Sequence, residues 1–206
     1  KDESVTEGYV FSADPVMKSP IDDGDALAYS IFNADGSVWL SSGNTLVDFS
    51  KNSAFTKAIA GEQTLSVPYQ SGNNIYIDIA TPVLRDNAVV YVLVYTFDIN
   101  DVILEFNSFQ FGQTGFATLI NKDGILIAGK GTAFSDYFTL SKTEKKYESS
   151  AEFYKKIISE NTYGTGDYTS TDGNKTVGCY SPIEGTDWYM IVSASKSEFS
   201  RSMITG

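Results

Sequence analysis

Carboxylates and phenols, not imidazoles, are the groups able to do chemistry in this 206-residue chain. Histidine is absent, which removes Ser-His-Asp and Cys-His catalysis, imidazole zinc sites and imidazole acid–base chemistry together. The single cysteine, Cys179, excludes an intramolecular disulfide. Set between Gly178 and Tyr180 in a strand-like run with no basic neighbour, it reads as a buried small hydrophobe rather than a nucleophile. With 26 Asp and Glu, chance carboxylate pairs are inevitable, and nothing singles out the two facing acids of a glycosidase. The cluster Asp22, Asp23, Asp25 around Gly24 lacks the alternating ligand spacing of a calcium loop and reads as a solvated turn. Residues 124–130 (GILIAGK) match the start of a phosphate-binding loop, but Gly131 stands where its Ser or Thr belongs and the intervening residues read as a strand. No catalytic residue, metal site or cofactor is expected.

Binding is better supported. Aromatics stand beside polar groups on the strands over residues 69–98, and small-molecule pockets are apolar walls with a few placed polar groups. Trp39, Asn52, Phe55, Lys57, Tyr69, Tyr76, Asp78 and Asp98 are the candidate ligand-binding set. Asp98 and Tyr69 are expected to hydrogen-bond the ligand, and Phe55 and Trp39 to form walls. Each aromatic has core packing as its alternative role. Asp98 is read either as a pocket anchor or as the cap of the helix that follows.

The elements that must position these residues start from residues 71–100, two long strands joined at Arg85-Asp86-Asn87. The second, residues 88–97, has the β-branched and aromatic composition of a strand buried on both faces. Before it lie a hairpin with the turn Asn33-Ala34-Asp35-Gly36, a helix over residues 52–60 stopped by Gly61, and a strand over residues 64–70. After a connecting helix over residues 99–109 the pattern starts again. Asn121-Lys122-Asp123-Gly124 repeats the hairpin turn 88 residues later, a helix covers residues 151–160, and three strands follow. Thr81-Pro82 is echoed by Ser181-Pro182. Duplicated order with little identity predicts two like-folded subdomains.

Composition sets the outer bounds. Forty-two per cent apolar residues, with 13 Phe, 13 Tyr and 2 Trp, suffice for real cores. A net charge of −11 lacks the basic stripe that nucleic acid requires and disfavours anionic lipid. No run of 18 apolar residues and no signal peptide is present, and the chain, starting at Lys1, reads as an excised piece of a larger protein.

Several motifs carry a family resemblance. Phe111-Gly112-Gln113-Thr114-Gly115-Phe116-Ala117 leads to Asn121-Lys122-Asp123-Gly124, and the closing run is Tyr180-Ser181-Pro182-Ile183-Glu184-Gly185-Thr186-Asp187-Trp188. With Asn33-Ala34-Asp35-Gly36, residues 55–61, Ala80-Thr81-Pro82 and Asp98, these resemble the extracytoplasmic double Cache sensor domains of bacterial transmembrane receptors. The resemblance implies an α+β fold of two tandem PAS-like subdomains, each a five-stranded antiparallel sheet flanked by helices. Residues 1–25 would be a remnant of the long N-terminal helix and its loop, 26–107 the membrane-distal, ligand-binding subdomain, and 108–206 the membrane-proximal one. It further implies a small-metabolite ligand, a homodimer in the full-length receptor and membrane anchoring by flanking helices. The output would be a chemoreceptor, a sensor kinase or a cyclic-dinucleotide enzyme. Of the family's amino-acid-binding pattern, Tyr69 and Asp98 match, while Val47, Asn52 and Ala54 stand at the first Tyr, the Arg and the Trp positions. Without the arginine there is no bidentate clamp for an α-carboxylate, although Asp98 remains available to an amine. The competing classes are a β-rich surface module for glycan or protein and a carboxylate-based hydrolase.

Overall fold

In the computed structural model, residues 26–42, 53–131 and 133–204 are described. The segment expected to hold the N-terminal remnant, residues 1–25, and the candidate Asn52 lie outside them. Contacts divide the chain into two compact units that meet between Asn100 and Asp101.

The first unit runs β1 (Ala28–Asn33), β2 (Val38–Ser41), α1 (Ser53–Ile59), β3 (Thr64–Leu65), β4 (Tyr69–Ser71), β5 (Asn74–Arg85) and β6 (Ala88–Asp98). Its antiparallel sheet has the order β2-β1-β6-β5-β3, with β4 also paired to β5. The sheet therefore counts six strands rather than five, because the strand expected over residues 64–70 is broken in two. Pro68 has no N–H to give the ladder. At the break, Ser66 N–H donates to the Asp78 carbonyl at 2.8 Å, and Asp78 N–H donates to Ser66 Oγ at 2.9 Å.

The turn between β5 and β6 has only two residues, Asp86 and Asn87, with φ of 52° and 62°. Two successive left-handed residues make the tight turn whose twist matches that of its strands. β6 is not buried on both faces: only Val92 and Val94 are enclosed, on the side that carries α1. On the other face Tyr91, Leu93 and Tyr95 are half-buried against Tyr29, Ile31 and Leu40. Cross-strand contact among large side chains satisfies that face, which is why its composition reads as doubly buried.

The second unit repeats the plan. After α2 (Asn100–Ser108) come β7 (Gln110–Phe111), β8 (Gly115–Asn121), β9 (Leu126–Gly129), α3 (Tyr137–Leu140), α4 (Glu148–Glu160), β10 (Gly164–Thr169), β11 (Lys175–Pro182), β12 (Trp188–Ser195) and α5 (Lys196–Ile204). Its sheet is ordered β10-β11-β12-β8-β7, with β9 also on β8, so the sixth strand is again one part of a divided edge. Residues 126–129 are indeed strand, which disposes of the phosphate-loop match. One face of α4 buries Ala151, Phe153, Tyr154 and Ile157. Phe153 stacks on Tyr168 at 4.6 Å and 9° and meets Tyr180 edge-on at 5.7 Å.

The motif at residues 111–117 now has a physical account. It is the β7–β8 hairpin, and the turn amides of Gln113 and Thr114 donate to the Glu198 carboxylate on α5 at 2.8 and 2.9 Å. Gly112 sits at φ +56°, and a Cβ there would lie 2.2 Å from Glu198 Oε1. The start of α5 is thus pinned to the opening turn of the second sheet.

Cys179 corrects the reading as a buried hydrophobe: it is exposed. On β11 the residues Thr176, Gly178 and Tyr180 face the core, and the period of two turns Cys179 outward. Replacing the fully enclosed Ile157 with alanine should lower stability in urea by about 2–5 kcal/mol, whereas Cys179→Ala should change it by less than about 0.5 kcal/mol. A large loss at Cys179 would show that the outward face of β11 is covered after all.

Candidate ligand-binding site

The β5–β6 register determines which candidates meet. Tyr76 pairs with Asp98, Asp78 with Thr96, Ala80 with Val94 and Pro82 with Val92, so all eight side chains project from one face. Tyr69, opposite Tyr76 on β4, joins them, as do Ser30 and Phe32 from β1. This face has an apolar end and a polar end. At the apolar end α1 lays Ala54, Phe55 and Ala58 onto Phe32, Ala80, Val92 and Val94. Phe55 meets Phe32 edge-on at 5.9 Å and is 5 % exposed, so it packs the core beside the polar patch. Lys57, on the same helix, is half-buried.

Asp78 lies at the centre of the polar end and is 2 % exposed. Its Oδ1 accepts from the Thr96 hydroxyl at 2.6 Å and the Tyr69 hydroxyl at 3.2 Å. Among the described residues no group hydrogen-bonds to its Oδ2 and no cation pairs with it, and no buried side-chain oxygen or nitrogen is left without a partner. Burial raises the Asp78 carboxyl above its ordinary value, against the smaller opposing effect of the Thr96 and Tyr69 hydrogen bonds. Burial together with the Asp78 charge also raises the Tyr69 phenol. Tyr69 is therefore a neutral donor at any physiological pH. The rings of Tyr69 and Tyr76 are 5.9 Å apart at 41°, forming an aromatic wall beside the carboxylate.

Asp98 is exposed at the end of β6. Its Oδ1 accepts from the backbone N–H of Asn100 at 2.9 Å and from the Asn100 side-chain amide at 2.6 Å, and its Oδ2 accepts from Asn74 Nδ2 at 3.1 Å. It thus caps the start of α2 from the same face of the sheet that holds Tyr76. Trp39 is not brought to this face. It stacks on Tyr91 at 4.8 Å and 17°, and Tyr91 belongs to the opposite side of β6. The bulge between Ile31 and Phe32 shifts the β1–β2 register at that point, which alternation alone does not reveal. Sequence reasoning missed Thr96, Ser66 and Ser30. Thr96 was findable, as the residue opposite Asp78 once the two-residue turn fixes the register.

The corresponding helix-covered side of the second unit holds a cleft of about 20 Å³, lined by Thr118, Tyr137, Ser150, Tyr154 and Tyr168 among others. That is room for one water-sized molecule. The Lys130–Asp172 ion pair, at 2.6 Å, stands at its edge. Among the described residues no group of His, Cys, Asp or Glu could hold a metal ion.

A family model for the Cache domain (dCache_1) matches residues 8–203. The chain belongs to the Cache domain family. Solved structures share the fold at low identity. The ligand-binding domain of the Pseudomonas aeruginosa amino-acid chemoreceptor PctB, in complex with L-Arg, is 18 % identical over 91 % of this chain and 79 % of its own, with a TM-score of 0.63. The extracellular domain of the putative histidine kinase mmHK1S-Z3 is 13 % identical over 92 % and 80 %, with a TM-score of 0.72. The ligand-binding domain of the Pseudomonas fluorescens chemoreceptor CtaA, in complex with L-serine, is 15 % identical over 89 % and 78 %, with a TM-score of 0.61. No curated protein matches the sequence. The two-unit Cache architecture thus agrees with the resemblance read from the turn motifs.

The raised carboxyl of Asp78 has a definite sign in stability. The folded protein binds that proton more tightly than the unfolded chain, so the associated stability is complete below the free carboxylate value of about 3.9 and lost as pH rises through the folded value. Asp78→Asn should therefore melt at a higher temperature than the wild type at neutral pH, with the gap closing toward pH 4. Thermal melts of both proteins across that range would show it, and a gap that widens on acidification would contradict the assigned cause.

Proposed function

We propose that this chain is the extracytoplasmic ligand-binding sensor of a transmembrane receptor, and that a small metabolite binds on the Asp78 face of the first unit. The observation that carries the reading is the buried polar patch on that face. A buried carboxylate, the buried Tyr76 and the half-buried Tyr69 stand there beside an apolar floor, with Thr96 and Tyr69 hydrogen-bonded to the carboxylate. A protein that only needed a core would have filled those positions with apolar residues, because burying an acid costs stability even where hydroxyls hydrogen-bond to it. Membership of the Cache family supports the sensor role, as does likeness in fold to domains that bind L-Arg in PctB and L-serine in CtaA.

In this reading Tyr69, Tyr76, Asp78 and Asp98 present polar groups to the ligand, Phe55 supports the pocket from α1, and Lys57 flanks it. Trp39 contributes to the opposite face. The protein does no chemistry: binding energy that differs between two arrangements of a homodimeric receptor is the signal. The output is a chemoreceptor, sensor-kinase or cyclic-dinucleotide module beyond flanking membrane helices. Among the described residues no helix is long and apolar enough to cross a membrane.

A thermal-shift screen of metabolites tests the reading. A ligand at 100 times its dissociation constant should add about 2.7 kcal/mol to stability. The shift should vanish in Tyr76→Ala, weaken in Asp98→Ala and persist in Lys130→Ala, which alters only the second unit. A hit indifferent to Tyr76→Ala would move the site elsewhere, and silence across amino acids, amines, organic acids, sugars and nucleobases would sink the sensor reading.

A further inference from the structure

Ser195-Lys196-Ser197-Glu198 opens α5 with the sequence of a capping box, a serine at the N-cap and a glutamate three residues on. Half of the box is closed: the Glu198 N–H donates to Ser195 Oγ at 3.3 Å. The other half is open, because the Glu198 carboxylate reaches across to the β7–β8 hairpin instead of turning back to the Ser195 N–H. There the N–H groups of Gln113 and Thr114 donate to its two oxygens at 2.8 and 2.9 Å, and the Thr114 hydroxyl donates to Oε2. Thr114 Oγ1 takes over the vacated role and accepts from the Ser195 N–H at 3.0 Å. A cap that α5 carries in its own sequence has been exchanged for one on another element, and the exchange ties the two together.

Apolar packing does not hold the first turn of α5, where Lys196, Ser197, Phe199 and Ser200 are all exposed. Lys196 pairs with Asp167 on β10, but both side chains stand in solvent, where such pairs contribute little. A carboxylate held by backbone amides makes the stronger, charge-assisted bonds. The hairpin is shaped for it: Gly112 lies at φ +56°, and a Cβ there would lie 2.2 Å from Glu198 Oε1. We propose that Glu198 is a two-position latch. Clasped on the hairpin, it makes α5 move with the second sheet. Turned back onto the Ser195 N–H, it completes the capping box and leaves α5 helical but detached, while the Gln113 and Thr114 amides pass to water. Neither position leaves the Ser195 N–H without an acceptor, which is what allows both. The latch belongs to the second unit alone and stands whatever the first unit binds. Only its use rests on the sensor reading above: it decides whether a movement of the sheet is carried by α5 toward a flanking membrane helix.

Amide exchange and Cα chemical shifts, measured by NMR on the intact chain, test the latch. Gly112→Ala unseats Glu198 but leaves it able to cap, and Glu198→Gln keeps a capping side chain while discharging the clasp. Both should speed exchange at Gln113 and Thr114 by about tenfold or more, while the shifts of residues 196–200 stay helical. Glu198→Ala removes both positions, so the same amides should exchange faster and the helical shifts should also be lost. Amides in the middle of β8 and β12 should stay protected in all three variants. If Gly112→Ala disturbs the hairpin, Glu198→Gln tests the same point with that backbone untouched. Unchanged exchange at Gln113 and Thr114 in Glu198→Ala would show that there is no clasp. Helical shifts lost as completely in Glu198→Gln as in Glu198→Ala would show one position rather than two. Either result overturns the inference, and neither touches the metabolite screen, whose outcome concerns the first unit.

Discussion

The pairing of β5 with β6 is the constraint on which the first unit depends. Two left-handed residues, Asp86 and Asn87, close the hairpin, and the ladder runs from Arg85 opposite Ala88 to Tyr76 opposite Asp98. Side chains on a strand alternate, so a slip of one residue would carry every one to the other face. Asp78 would then lie under Tyr91 and Tyr95, and the apolar floor beneath α1 would be lost. A turn at one end of the hairpin thus fixes the chemistry at the other. The single irregularity, between Val83 and Leu84, falls close to the turn and leaves the register beyond it regular.

That register places a costly group where the sheet can hold it. Asp78 is fixed on both sides of its backbone by Ser66, and Thr96 and Tyr69 orient Oδ1. Preorganisation of this kind lowers the entropy lost when a ligand engages the remaining oxygen. Among the described residues this acid has no counter-charge, a cost in stability of the kind proteins accept at functional positions. The packing of Phe32, Ala54, Phe55, Ala58, Val92 and Val94 beneath α1 offsets it within the same unit.

Much of this was legible in the residues. The Asp-Gly turns, the helix ends and the repeated order predicted two copies of one plan, and the sheets share a five-strand order, with the sixth strand on the β5 edge in the first unit and on the β8 edge in the second. Tyr69, Tyr76, Asp78 and Asp98 do share one face. Three features were hidden. The broken edge at Pro68 depends on Ser66 bridging to Asp78, a tertiary contact. The wall assigned to Trp39 failed because a bulge, invisible to alternation, turns it onto Tyr91. Cys179 read as buried because its neighbours are apolar or small, while the face of β11 on which it falls is set by pairing with β12.

The two copies diverge through helix length. At about 1.5 Å per residue, the seven residues of α1 extend about 10 Å and the thirteen of α4 about 20 Å. The longer helix carries Ala151, Phe153, Tyr154 and Ile157 along its sheet and joins Tyr168, Tyr180 and Tyr189 in one aromatic core beside a water-sized cleft. The shorter one packs on Phe32, Ala80, Val92 and Val94 of its sheet. Two and four residues before Ala80 on β5, Asp78 and Tyr76 are buried on the same face. The two copies thus share one folding plan while their helix-covered faces differ in chemistry, one an aromatic core and the other carrying a buried acid.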